Sequence, residues 1–332
     1  MDNKTGAAGS ALRQKVSVLV VKSAAVLMAV LIAVSISSCG SDIKTDSSRC
    51  TVGAVLKSGT SEYWMSVSSG MKDAADKYNI DIVIMYPDDE LQDKQQNYLA
   101  EELVARNVDV LAVSPIDSRG EPDYVKAAAN KDIPVITFDT TFRNSGLPYI
   151  GSDNEKIGYE LAKQLAEAQN HTGDVGVISG DLNQTCHSER VAGFRRYINS
   201  EPDMKIVFIE SGYANMQMSE DKVQELLEKY PSVRGIMASS AVTAMGLAAG
   251  TKDRGINIAA VDVQTDAINA LKNGGIEALA AQSGYDIGYE TILWISRMLD
   301  GESEADKVII NTEILTEDNI EDYINENENL DN

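Results

Sequence analysis

From Thr51 onward the chain alternates short, apolar, β-branched runs with longer amphipathic stretches, and it does so twice. The first round holds strand-like runs at 51–56, 80–85, 108–113, 133–138 and 149–151. Helix-like stretches at 62–78, 91–106 and 124–130 separate them. In the first of these stretches Tyr63, Val67, Met71, Ala74, Ala75 and Tyr78 recur at spacings of three and four, which places them on one helical face. The strand runs lack strict polar alternation, so both their faces must be covered, as in a parallel sheet with helical crossovers. The rhythm restarts with a helix at 155–168 and continues through strands at 174–179, 205–210, 233–238, 257–261 and 276–282. Helices at 188–199, 219–229, 242–252 and 266–273 lie between these strands. The fold class that follows is α/β, with two doubly wound parallel-sheet domains. A last helix at 287–299 and a strand at 308–311 are surplus to the second unit. From Glu317 the acidic tail reads as a short helix or a frayed end.

The 332 residues suit two domains. With 51 acidic against 29 basic side chains, the formal charge of −22 repels nucleic acid, and no basic cluster offsets it. Residues 1–38 stand apart: Lys4, Arg13, Lys15 and Lys22 precede an uncharged apolar run at 24–36, the pattern of a signal peptide. As a helix that run spans about 20 Å, short of the roughly 30 Å hydrocarbon core, so a permanent membrane span is the weaker reading. The string Ile36-Ser-Ser-Cys39-Gly40 resembles a bacterial lipobox, which implies cleavage before Cys39, acylation of that residue and a tether at 39–50. The expected product is extracytoplasmic and lipid-anchored to the bacterial cell membrane.

Motifs for chemistry are missing. No strand leads into a dinucleotide or phosphate-binding glycine loop, and there is no nucleophile elbow. His171 lies in a polar turn, and His187 beside Cys186 is a poor nucleophile and base pair, because adjacent residues diverge in direction. The acids form no spaced metal-ligand pattern. Neither cofactor, metal nor catalysis is expected. Cys50 and Cys186 fall at opposite ends of their units, so no disulfide is expected between them.

Polar and aromatic residues instead gather where a doubly wound sheet binds ligands, beyond the carboxyl ends of its strands. They are Lys57, Ser61, Tyr63 and Trp64, then Ser114 and Asp117, then Asp139 and Thr140, and in the second half Arg190, Ser240, Asp262 and Gln282. With the strings Pro134-Val-Ile-Thr-Phe-Asp139, Gly151-Ser-Asp-Asn154 and Ala259-Ala-Val-Asp262, this series resembles the periplasmic sugar-binding proteins of the ribose, galactose and allose type, from about Val52 to Gly301.

The resemblance implies a cleft between two domains joined by a three-crossover hinge, with 51–152 plus 283–307 in the first domain and 153–282 plus 308–332 in the second. It also implies a monomer that binds one monosaccharide and hands it to an ABC permease; a sensor reporting to a histidine kinase or chemoreceptor is the alternative. Under this resemblance Tyr63 and Trp64 cover the sugar, while Asp139, Arg190, Asp262 and Gln282 bond its hydroxyls. The sequence departs from the family pattern at Thr140, where an Arg is usual, and at Ser61, Ser114 and Ser240, where Asn is usual. An aromatic is replaced near Ala214, with Tyr213 as a substitute. Plain structural roles stay open: Asp139 and Asp262 as helix caps, Trp64 as core, and Arg190 in a structural ion pair.

Overall fold

Runs that bury on both faces become the strands of two six-stranded sheets in the computed structural model, which describes residues 49–302 and 305–328. The first sheet is built from β1 (Thr51–Val55), β2 (Asp81–Met85), β3 (Val110–Val113), β4 (Val135–Phe138), β5 (Tyr149–Ser152) and β11 (Lys307–Ile310). Its order is β11-β5-β4-β3-β1-β2, and every pairing is parallel. The second sheet comprises β6 (Gly173–Ser179), β7 (Met204–Ser211), β8 (Val233–Ala238), β9 (Asn257–Val261), β10 (Ala278–Gln282) and β12 (Thr312–Leu315), in the order β12-β10-β9-β8-β6-β7.

The pleat sorts side chains to alternate faces; both faces are dry along central strands such as β1, β3 and β4, while the edge strands β7 and β11 keep exposed positions. On one face of the first sheet, Val52, Ala54 and Phe138 pack against α1 (Glu62–Lys77) and α9 (Gly284–Leu299) through Val67, Met71 and Ile287. On the other, Val55, Leu111 and Val113 meet α2 (Asp93–Ala105) and α3 (Asp123–Ala129) through Leu103 and Tyr124. The second sheet repeats the scheme. Val175, Val177 and Val261 face α4 (Asn154–Ala168) and α5 (Thr185–Ile198), while Ile178, Ile236 and Ile258 face α6 (Met216–Lys229), α7 (Ala241–Gly250) and α8 (Thr265–Lys272). A final helix, α10 (Ile320–Glu328), follows β12, and its Ile320 closes the second core.

The chain crosses between lobes after Ser152, after Gln282 and at Asn311. Two features differ from the sequence reading. The expected domain boundary before Val308 falls instead at Asn311, because β11 pairs with β5 in the first sheet, Lys307 opposite Tyr149. Strand β12 was not foreseen, and it runs antiparallel to β10, so the second sheet is parallel except at that edge.

In each lobe helices pack backbone to backbone. A Cβ on Gly158 of α4 would lie 1.8 Å from the carbonyl oxygen of Arg190 in α5, and one on Gly288 of α9 would lie 2.1 Å from that of Val67 in α1. Only glycine permits these approaches. They fix α1 and α5, the two helices whose first turns face the cleft.

Candidate functional site

The two sheets present the same device at the same place. In each, the third strand from the crossover edge, β4 or β9, ends in an aspartate with left-handed backbone: Asp139 at φ 58° and Asp262 at φ 75°. Each donates its amide to the neighbouring strand, Asp139 to Ile150 at 2.9 Å and Asp262 to Ala280 at 3.0 Å. Such a conformation costs of order 1–3 kcal/mol and persists only where surroundings enforce it. Here it turns both carboxylates into the space between the lobes.

Around Asp139 the first lobe is fully paired. Lys57, just beyond β1, places Nζ 3.0 Å from Asp139 Oδ2 and donates to Thr140 Oγ1 at 2.7 Å. Tyr63 donates its hydroxyl to Asp139 Oδ1 at 2.7 Å, and Ser114 and Thr140 donate to Oδ2 at 3.0 and 2.8 Å. Burial pushes this carboxyl upward, but the charges of Lys57 and Arg190 and the hydroxyl donors outweigh it and hold the group well below the usual carboxylate range. The Lys57 ammonium is likewise penalised by burial and rescued above its ordinary value by Asp139.

The second lobe distributes its pairing differently. Arg190 on α5 donates to Asn154 Oδ1 at 2.9 Å, to the Ser239 carbonyl at 2.7 Å and to Gln282 Oε1 at 2.8 Å, so its guanidinium is held without a direct carboxylate partner. Gln282 in turn donates to Asp262 Oδ1 at 3.3 Å. Burial pushes Asp262 up to about 6; Arg190 and the Ala241 amide lower it, and the charge of Asp139 adds to the rise.

The space between these walls measures about 40 Å³ and is lined by Lys57, Tyr63, Trp64, Glu90, Asp139, Cys186, His187, Arg190, Ala214, Ser240, Asp262 and Gln282. By the same measure one water needs about 10–15 Å³, so the space suits about three waters and a larger guest requires the lobes to part. Contacts across the cleft are polar: Lys57 donates to Gln184 Oε1 at 2.7 Å, Thr185 to the Thr141 carbonyl at 2.7 Å, and Thr265 to Glu62 Oε2 at 2.9 Å. Two cations and three acids line the cavity. That near balance disfavours a highly charged guest and offers fixed donors and acceptors to hydroxyls.

Of the residues expected from the sequence, eight line this cavity together: Lys57, Tyr63, Trp64, Asp139, Arg190, Ser240, Asp262 and Gln282. Ser114 and Thr140 stand behind them and orient Asp139. Two are placed elsewhere. Ser61 caps α1, accepting from the Trp64 amide at 3.2 Å, and Asp117 is bound by the Arg119 guanidinium through both oxygens. Ser240 also caps α7, accepting from the Thr243 amide at 3.4 Å. Asp262 does not cap the helix that follows it; α8 has no side-chain cap. Tyr213 does not substitute for the missing aromatic: it is 39% exposed, and Ala214 takes the lining position.

Glu90 was missed. It lies in the loop after β2, whose lack of periodicity hid it, although the strand-end rule reaches it; it accepts from Trp64 Nε1 at 3.0 Å. His187 lines the cavity without Cys186 as partner. Its Nδ1 lies 2.8 Å from Ser239 Oγ, and burial with the nearby Arg190 and Lys57 charges keeps the ring neutral. Cys50 and Cys186 are free thiols. Among the described residues no cluster of His, Cys, Asp or Glu is placed to hold a metal, and no helix is long and apolar enough to cross a membrane. Cys39 and the apolar run before it lie outside the described residues.

Known proteins show the same architecture. A family model described as a periplasmic binding protein domain matches residues 52–303. The D-ribose/D-allose-binding protein of Pseudomonas aeruginosa is 26% identical over 276 residues, spanning 78% of this chain and 86% of that one. The ribose import binding protein of Salmonella typhimurium is 23% identical over 271 residues, 80% of this chain and 90% of the relative. Among solved structures, an ABC transporter solute-binding protein from Burkholderia graminis in complex with D-arabinose superposes with a TM-score of 0.77 at 25% identity, covering 83% of this chain and 98% of that one.

Proposed function

The chain belongs to the periplasmic binding protein domain family, and from that premise we propose that it captures a monosaccharide between its lobes and delivers it to an ABC importer. The observation that carries this reading is the division of the site. Lys57, Tyr63, Trp64 and Asp139 come from the first lobe, Arg190, Ser240 and Asp262 from the second, and Gln282 from a crossover. Neither lobe alone can pair all the hydroxyls of a sugar. A ligand touching both has higher affinity for the closed form, and that difference drives closure. Tyr63 and Trp64 meet edge to face with centroids 5.1 Å apart and supply the apolar surface a sugar's C–H faces need.

The protein works by binding; relatives named for ribose and allose, and a solute-binding protein solved in complex with D-arabinose, support the sugar class. Nothing observed favours the alternative of a sensor for a histidine kinase or chemoreceptor. The domain limits that accompany this reading are 51–152 with 283–310, and 153–282 with 311–328. Export by a signal peptide at 1–38 and anchoring through acylated Cys39 rest on the sequence alone, as does a monomeric state. A thermal-shift screen of monosaccharides tests the function. A true ligand at 100 times its dissociation constant stabilises the native state by about 2.7 kcal/mol, and a screen in which no sugar raises the midpoint refutes the reading.

A further inference from the structure

A second cavity of about 240 Å³ lies directly against the first and shares three of its lining residues, Tyr63, Asp262 and Gln282. These three shared residues come from both sides of the cleft, Tyr63 from the first lobe, Asp262 from the second and Gln282 from a crossover. Tyr63 is fixed on one side by its 2.7 Å hydrogen bond to Asp139, and Asp262 with Gln282 forms the other side. Because Tyr63 and Asp262 belong to opposite lobes, parting the lobes moves these two shared residues away from each other.

The outer cavity has its own chemistry. Glu62 and Ser66 of α1 line it from the first lobe and Gln264 from the second, and among the described residues lining it none is basic. With Glu62 and Asp262 both acidic, it repels phosphate or carboxylate and suits an uncharged group bearing hydroxyls. It is also closed by the lobes themselves: Glu62 Oε2 accepts from both the amide and the hydroxyl of Thr265, at 2.9 and 3.0 Å, across the seam beside it.

We infer that the site takes, besides a monosaccharide, a longer ligand: a neutral disaccharide or glycoside whose first ring lies between Asp139 and Asp262 and whose second lies over Glu62, Ser66 and Gln264. This extension rests on the sugar-binding reading above, and it assigns the outer cavity to the second ring.

Calorimetric titration of the full chain with D-glucose, D-galactose and D-allose, each against disaccharides carrying that ring, tests it. The expected result is at least one disaccharide bound about tenfold more tightly than its own monosaccharide. Ser66→Trp, which fills the outer cavity, should abolish that gain and leave monosaccharide affinity unchanged. Gln264→Trp, from the opposite lobe, should do the same, and the thermal midpoint without sugar shows that each variant folds. If monosaccharides bind and no disaccharide gains, or if the gain survives both substitutions, the extension fails while the sugar reading stands. If neither length binds, both fail.

Discussion

The two walls of the cleft carry the same residue in the same backbone conformation and treat it in opposite ways. Asp139 and Asp262 end equivalent strands at positive φ, and both are buried. Asp139 has an ammonium at 3.0 Å and hydroxyl donors on both oxygens, so it stays ionised. Asp262 receives the Gln282 side-chain amide at 3.3 Å and the Ala241 backbone amide but no cation, while the nearest guanidinium is spent on Gln282, Asn154 and a carbonyl. The first wall is a finished structure, and the second is short of donors when the lobes are together. We propose that a sugar hydroxyl supplies a further donor to Asp262, which makes the second wall the one that couples ligand binding to closure.

Breaking the first wall should cost most. Lys57→Met removes the partner of a buried carboxylate, a change that costs about 3–5 kcal/mol in comparable ion pairs. Chemical denaturation should show a lower midpoint, and sugar binding should be lost with it.

Changing the second wall should act through pH. The carboxyl of Asp262 is raised, so its contribution to stability is present below the ordinary Asp value of about 3.9 and is lost as pH rises through about 6. A tenfold change in proton affinity between the folded and unfolded chain is worth about 1.4 kcal/mol. Asp262→Asn should therefore be more stable than the parent at pH 7, by about 1–3 kcal/mol, and should converge with it below about pH 4. Denaturation curves at acid and neutral pH check the sign. Parallel curves for the two proteins would show that Asp262 is already satisfied.

Between these lies the scaffold that aims Arg190. Gly158→Ala puts a Cβ where the Arg190 carbonyl oxygen now sits, and such overpacking costs about 1–3 kcal/mol. Affinity should fall further than stability, because the guanidinium moves with its helix. Equal losses in calorimetry and in thermal midpoint would contradict that. The smallest effect belongs to Asp117→Asn. Its pair with Arg119 is exposed at the surface, so stability should change by less than about 1 kcal/mol and sugar affinity should not change at all.

What the sequence revealed follows the same physics. Strands such as β1, β3 and β4 bury every position and were legible as apolar runs. Strand β12 was not, because its pattern of half-buried and exposed positions belongs to a sheet edge and only Asn311 parts it from β11. Helix α5 begins at Thr185, three residues ahead of the expected start, since a polar first turn carries no periodicity. Asp139, Asp262 and Gln282 could be located because strand ends in this topology face the cleft. Ser61 could not be assigned, because a helix cap and a ligand contact both occupy the residue before a helix. Glu90 lies in the loop after β2, where no periodicity marks it although the strand-end rule reaches that loop.

Closure around a bound sugar is the central claim, and small-angle scattering tests it most directly. The radius of gyration should decrease when the monosaccharide that raises the thermal midpoint is added to saturation, and it should decrease less for Asp262→Asn. A sugar that binds tightly while leaving the scattering profile of the parent protein unchanged would contradict the account.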